Sequence, residues 1–217
     1  MIQFENVTAT YADDVGIFDL SFRIEKGQMV FLMGPTGAGK STVLKTIYKD
    51  IFLNDGSLYI DGQDITYMQT RKIPYYRRKI GMIFQDFRLI GDRSVFENVA
   101  LPLHILGLPN KEIMLKVNGI LEKVGLENVK KMIPSQLSGG EQQRVSIARA
   151  LVKDPVVILA DEPTGNLDPN VSDGILDLLE LATDNGTSVL MSTHNFPLIR
   201  PRKKRYIELN DGRLVQK

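Results

Sequence analysis

The sequence predicts an α/β fold, with an antiparallel β part towards the N-terminus and a helical segment inserted in the middle. Three observations carry this reading. The apolar runs MVFLM (29–33) and VVILA (156–160) are bounded by glycine or proline and followed by helical patterns, as buried strands of an α/β sheet are. The segments before the first run have the composition of strands. From about Ser94 to Leu151 the pattern turns helical, and strand signals resume afterwards.

Along the chain, IQFENVTATY (2–11) and IFDLSFRI (17–24) read as strands around the turn-prone ADDVG (12–16), and a Glu25-Lys26-Gly27 turn leads into MVFLM. SLYIDGQDI (57–65) reads as a short strand and turn. SVFENVALPLHIL (94–106) is helical, with His104 an ordinary helix residue. In NKEIMLKVNGILEKVG (110–125), Ile113, Val117, Ile120 and Val124 form a helical stripe that Gly125 can close. After VVILA come a helix around ILDLLELA (175–182), the strand TSVLMS (187–192) and a hairpin, RYIEL-NDG-RLV (205–215). The whole chain reads as one domain, with a core of 1–87 and 152–217 and a helical subdomain of about 88–151.

Composition narrows the function. With 27 basic and 26 acidic residues in 217, the net charge is +1, which gives no global case for binding nucleic acid or a membrane. Cysteine is absent, excluding disulfides and thiolate metal sites and fitting a reducing compartment. MIQFENVTATY lacks the basic start and apolar run of a signal peptide, and no apolar run is long enough to span a bilayer. Any membrane role is therefore expected to pass through a partner. The two locally basic stretches, Arg200 to Arg205 and the run with Arg71, Lys72, Arg77, Arg78 and Lys79, read first as solvated faces. Contact with an anionic membrane surface comes second and nucleic acid third, since Tyr75 and Tyr76 are the only aromatics within the runs.

GPTGAGKST, residues 34–42, matches G-x-x-x-x-G-K-[ST] between an apolar strand and the helix carrying Val43, Leu44 and Ile47. Here Gly34, Pro35, Thr36, Gly37, Ala38 and Gly39 form the loop whose N–H groups can wrap phosphates. Lys40 can neutralise the β/γ oxygens, the Ser41 hydroxyl can coordinate Mg²⁺, and Thr42 completes the motif. This predicts a nucleoside triphosphate site. VVILA then ends in Asp161-Glu162, adjacent side chains that leave a strand in different directions. A strand-end acid pair is usually a solvated turn, but the P-loop upstream reverses that reading. Asp161 is assigned to the metal side, through water, and Glu162 to the general base.

LSGGEQQR, residues 137–144, poses a puzzle. Ser138 and Glu141 have the spacing of a capping box, and Val145, Ile147, Ala148 and Leu151 follow, so a helix should start here. Yet Gly139 and Gly140 in its first turn each cost up to about 1 kcal/mol, as much as a good cap returns. Glycines at a helix N-terminus suit the close approach of an anion, although the P-loop already supplies a phosphate site.

In this order, followed by Ser192-Thr193-His194, GPTGAGKST, LSGGEQQR and ILADEPTGNLDP (158–169) resemble the motifs of the ATPase subunits of ABC transporters, from Tyr11 to the C-terminus. The resemblance implies a RecA-like P-loop NTPase core with an antiparallel β subdomain and an α-helical signature subdomain. It also implies an ATPase that dimerises head to tail, each ATP lying between the P-loop of one subunit and Ser138, Gly139, Gly140 and Glu141 of the other. By the same resemblance Tyr11 stacks on adenine, Gln85 touches Mg²⁺ and the attacking water and senses a membrane partner, His194 contacts the γ-phosphate, and Asp168 lies on a loop crossing the dimer interface. Taken alone, Tyr11 would be a packing residue, Gln85 a strand-end residue and the Asp168 loop a turn before a helix.

FQDFRLIGDRSVFENVALPL (84–103) and the short chain further resemble the FtsE-type cell-division members of that family, with Gly91-Asp92-Arg93 and Pro201 departing from the related pattern. This implies a homodimer on the cytoplasmic face of the membrane, peripheral, working through an integral partner resembling FtsX that controls cell-wall hydrolases. Two other roles stay open: the motor of a lipoprotein or macrolide-type exporter, and an ATP-switched division scaffold with secondary turnover. A nucleic-acid or ribosome ATPase is disfavoured, as there is no long coiled coil and one nucleotide-binding unit.

Overall fold

The computed structural model describes residues 1–12 and 15–216, so Asp13 and Asp14 of the expected ADDVG turn lie outside the described residues. Among the described residues ten strands and seven α-helices follow in chain order: β1 Ile2–Ala12, β2 Val15–Ile24, β3 Met29–Met33, α1 Lys40–Ile47, β4 Asp55–Ile60, β5 Gln63–Asp64, α2 Ile73–Arg77, β6 Ile80–Ile83, α3 Val95–Ile105, α4 Asn110–Lys123, α5 Gly139–Leu151, β7 Val157–Asp161, α6 Pro169–Asp184, β8 Ser188–Thr193, α7 Phe196–Ile199, β9 Arg205–Asn210 and β10 Arg213–Gln216.

The strands form two sheets. A four-stranded antiparallel sheet has the order β2-β1-β4-β5, and a six-stranded sheet has the order β10-β9-β3-β8-β7-β6, parallel except for its terminal β9-β10 hairpin. Every residue of β3 and β8 is buried, which is why β3 reads as an unbroken apolar run in the sequence; in β8 the buried set includes Ser188, Ser192 and Thr193.

Side-chain alternation divides the parallel strands between two cores. Val30, Leu32, Val157, Leu159 and Leu190 face α1 and the antiparallel sheet, packing with Val43, Leu44, Ile47, Leu58 and the stacked Phe4–Phe22 pair. Met29, Phe31, Met33, Ile158, Ala160, Val189 and Met191 face the opposite side, against Ile175, Leu176 and Leu179 of α6. Burying each such side chain is worth about 1.5–3 kcal/mol, enough to fix the register of strands that have no polar face.

A third core is helical, built from Val95, Val99 and Leu103 of α3, Ile113, Val117 and Leu121 of α4, and Val145 and Ala148 of α5. In α4 the fully buried position falls on Leu121, and Ile120 of the expected stripe is half-buried at its margin. At 3.6 residues per turn Ile120 lies closer to the line of 113, 117 and 124 than Leu121 does, so it is the packing of α4 in the helical core, and not the helical period, that turns the buried face towards Leu121. Gly125 has φ +72, in the left-handed region, and ends the helix as expected. α5 belongs to two cores, because its Ile147 and Ala150 pack against the parallel sheet.

This topology assembles a site. The carboxyl ends of β3, β8, β7 and β6 lead into the P-loop, His194, Glu162 and Gln85 respectively, and the edge where parallel strands end is where ligands bind open α/β sheets.

Candidate active site

Tyr11, Val15, Gly16, Thr36, Gly37, Gly39, Lys40, Ser41, Thr42, Gln85, Asp161, Glu162 and His194 line one open cleft of about 490 Å³. The sequence segments that supply them are far apart in the chain, and the strand order brings them together.

The P-loop is tight by construction. Gly34 has φ +145, and a Cβ there would stand 2.3 Å from the Leu209 carbonyl oxygen of the neighbouring β9 hairpin, so no larger residue fits without moving the loop. Gly39, at φ +97, turns the chain into α1. Lys40 is 5% exposed, and its Nζ donates to the Gly34 and Pro35 carbonyls at 2.8 and 2.9 Å and stands 3.6 Å from Glu162 Oε1. The ammonium is therefore held over the P-loop, where it can meet a phosphate. Tyr11 is 64% exposed at the mouth of the cleft, with its ring free to meet a planar base.

The two acids take separate partners. Asp161 Oδ1 accepts from Ser41 Oγ at 3.0 Å and from Ser192 Oγ at 2.7 Å. Glu162 Oε2 lies 2.9 Å from His194 Nδ1. Ser192 also accepts from the Glu162 N–H at 3.0 Å, so one hydroxyl fixes both acids. Glu162 has φ +44, a left-handed conformation that costs a non-glycine residue of order 1 kcal/mol, and the bond from Ser192 together with the Gly165 N–H to Glu162 carbonyl bond at 3.0 Å hold it there. The sequence reading gave Ser192 no role; its function depends on β8 lying between β3 and β7, which no local pattern encodes.

Mg²⁺ is bound through few protein oxygens, with phosphates and waters completing its shell. The Ser41 hydroxyl beside the Asp161 carboxylate, with Gln85 in the same cleft, is an oxygen donor set of that kind. Among the described residues there is no cluster of three or more His, Asp or Glu side chains that could cage a metal by itself.

Gln85 begins a constrained segment. Phe87 and Arg88 both have positive φ, at 58 and 46, and Arg149 of α5 donates to the carbonyls of both, at 2.8 and 2.6 Å. Asn166 reaches the Gln85 carbonyl at 3.5 Å. The helical part thus grips the loop that carries Gln85.

Ser138, Gly139, Gly140 and Glu141 are absent from the lining of this cleft. They form the N-terminus of α5, where Ser138 and Glu141 make the expected capping box: Ser138 Oγ donates to Glu141 Oε2 at 2.6 Å, Ser138 N–H donates to the same oxygen at 2.8 Å, and Glu141 N–H donates to Ser138 Oγ at 3.3 Å. These bonds, the Ser138 hydroxyl first, hold the Glu141 carboxyl below its ordinary pKa. The glycines differ. A Cβ on Gly140 would stand 2.7 Å from Val171 Cγ1 of α6, so packing within the chain already favours glycine there. On Gly139 a Cβ would meet Leu167 at an ordinary 3.5 Å, and packing does not explain that glycine. Asp168 caps α6, accepting from Val171 N–H at 3.1 Å.

Three of the ten basic residues in the two runs, Arg77, Arg202 and Lys204, pair with acids, whereas Arg71, Lys72, Lys79, Arg200, Lys203 and Arg205 are exposed, as the reading as solvated faces expects. Arg202 is clamped by Asp173 at 2.8 Å, Asp177, and Glu180 at 3.3 Å on α6, and Lys204 pairs with Glu180 at 3.4 Å. Arg77 pairs with Asp50 and donates to the Tyr48 and Lys49 carbonyls. The acids of α6 look like a solvent face in sequence, and only the fold brings the arginine to them.

The family profile described as ABC transporter matches residues 17–165. The chain belongs to the ABC transporter family. It is an ABC-type ATPase, similar to FtsE. It is 48% identical to the cell division ATP-binding protein FtsE of Escherichia coli (strain K12) over 215 residues, 99% of this chain and 97% of that protein. It is 43% identical to the FtsE of Bacillus subtilis (strain 168) over 217 residues, 100% of this chain and 95% of that one. Among solved structures, the ATP-binding cassette MJ0796, a dimer in a post-hydrolysis state bound to ADP and Pi, superposes with a TM-score of 0.88 at 36% identity, covering 100% of this ABC ATPase and 97% of that chain. Among the described residues no helix is long and apolar enough to cross a membrane.

Proposed function

We propose that two copies of this ATPase close head to tail around two ATP, and that hydrolysis drives a conformational change in an integral membrane partner resembling FtsX during cell division. The observation that carries the composite site is the separation of its halves: the α5 N-terminus, with exposed Ser138 and Gly139, lies outside the cleft formed by its own P-loop. A second copy supplies what each cleft lacks. The MJ0796 dimer with ADP and Pi and the names of the FtsE relatives support this reading.

In each site Tyr11 stacks on adenine, and residues 34–42 wrap the phosphates with Lys40 on the β/γ oxygens. Ser41, Gln85 and, through water, Asp161 would hold Mg²⁺, which would neutralise phosphate charge when bound. Glu162 accepts the proton of the attacking water, and His194, held against that carboxylate, contacts the γ-phosphate. Ser138 Oγ and the N–H groups of Gly139 and Gly140 from the other copy close on the same phosphate, and Asp168 lies on the loop beside it. The dimer sits on the cytoplasmic face of the membrane through its partner.

Sedimentation of Glu162→Gln with MgATP tests the dimer: a stable ATP-bound dimer with little turnover is expected, and a monomer under saturating ATP overturns it. Capture from membranes followed by a count of the partner's spanning helices tests the role. Four are expected, whereas a partner built as an export permease contradicts the division reading.

A further inference from the structure

Gln143 lies on α5, one and a half turns beyond Ser138, and is fully buried. Its Nε2 donates to the carbonyl of Pro163 at 2.8 Å, the residue after Glu162. Its Oε1 has no hydrogen-bond partner among the described residues, and neither has the buried Oγ of Ser146 one turn on. A buried amide that keeps one bond and leaves its carbonyl unpaired is a costly choice for packing, where Leu or Met would fill the volume at no polar cost. Unexplained polar groups of this kind concentrate at functional positions.

The bond joins two elements with different duties. α5 presents Ser138 and Gly139, whereas the turn at Pro163 carries Glu162, whose left-handed backbone is kept in place by a few hydrogen bonds. A small displacement of α5 along its axis would be felt at Pro163 through Gln143 and passed to the adjacent carboxylate. We infer that Gln143 is a positioning residue that couples the two ATP sites: closure of α5 on the ATP of the second copy sets Glu162 in its own. This rests on the composite dimer proposed above, and it adds a direction to the coupling, from the signature helix to the glutamate of the same subunit.

Mixed dimers of differently tagged subunits test that direction. One subunit carries Glu162→Gln, so turnover comes only from the Glu162 of the other, while the signature serving that working site belongs to the Glu162→Gln subunit. Adding Gln143→Leu to the subunit with the working Glu162 should lower kcat about tenfold at unchanged KM, the rate equivalent of one lost buried hydrogen bond. Adding it to the Glu162→Gln subunit should leave turnover as it was, because there the link ends at an inactive side chain. If Gln143 merely supported the presentation of Ser138, the pattern would reverse, and a reversed, equal or absent effect overturns the inference. A Tm measured for Gln143→Leu separates misfolding from uncoupling. Failure of the Glu162→Gln subunits to dimerise with ATP would remove the composite site itself, and this inference with it, before Gln143 is varied.

Discussion

His194 Nδ1 stands 2.9 Å from Glu162 Oε2, tying the end of β8 to the end of β7. With Nδ1 carrying the proton of that bond, the neutral ring leaves Nε2 as an acceptor, so Nε2 can donate to a phosphate oxygen only when the ring holds both protons. In the proposed mechanism the carboxylate beside it is the group that collects the proton of water. Removal of Glu162 as base is expected to cost about 10²–10⁴-fold in kcat. His194→Ala should cost less, about 10–100-fold, because the oxyanion contacts from Lys40 and the second copy remain. Steady-state hydrolysis at saturating ATP reads both, and a His194→Ala loss equal to that of Glu162→Gln would show that the two side chains act as one unit, contradicting a proton transfer carried by the glutamate alone.

Ser138→Ala removes the capping box and, in the proposed dimer, one phosphate contact together. Folding stability should fall by about 1 kcal/mol, as for other lost caps, and urea melts of the monomer measure it. ATP-driven dimerisation and turnover should fall far more than that cost explains. An unaltered turnover would reduce the motif to a helix start.

The two glycines of α5 should separate in stability and agree in function. Gly139→Ala meets Leu167 at 3.5 Å and gains helix propensity, so the monomer should be stabilised by up to about 1 kcal/mol. Gly140→Ala obliges Val171 to move and should come out less stable than Gly139→Ala. Both should impair dimerisation with ATP. Thermal melts without nucleotide, followed by sedimentation with it, check the two halves of this expectation.

Lys153 provides a pH signature. Burial pushes its ammonium down to about 8, and its Nζ keeps a 3.0 Å bond to the Arg77 carbonyl. The unfolded lysine titrates near about 10.4, so between these values the unfolded chain binds more protons and stability rises with pH. Below that window both states are charged and the native state bears the whole cost of burial. Lys153→Met should therefore stabilise the protein more at pH 7 than at pH 10, read by urea melts at both. An equal gain at the two pH values would place the effect in packing instead.

Local chemistry explains what was legible in the sequence. The P-loop, the acid pair at the end of β7, the capping box at Ser138 and the helical run from 94 to 151 are written in short spacings and periodicity, and they lie where those spacings predicted. Relations that depend on strand order were not legible. Ser192 bridges Asp161 and Glu162 because β8 lies between β3 and β7, Arg149 reaches the carbonyls of Phe87 and Arg88 across 62 and 61 residues, and Arg202 finds its acids on α6. Gly140 shows how the two levels meet: its sequence context points to an anion, and its packing against Val171 supplies a second reason that only the fold reveals.

Complementation between two inactive subunits tests the composite site most directly. Lys40→Ala disables the P-loop and leaves the signature intact, whereas Ser138→Ala does the reverse. Mixed with ATP, they can form a heterodimer in which one cleft has both an intact P-loop and an intact signature. Random pairing makes half of the dimers mixed, each with one intact site, so turnover should rise from near zero to at most about a quarter of wild type, and to less than that because the working Glu162 then sits in the subunit whose own α5 has no ATP to close on. Turnover on mixing that stays at the average of the two separate variants would contradict a site shared between copies.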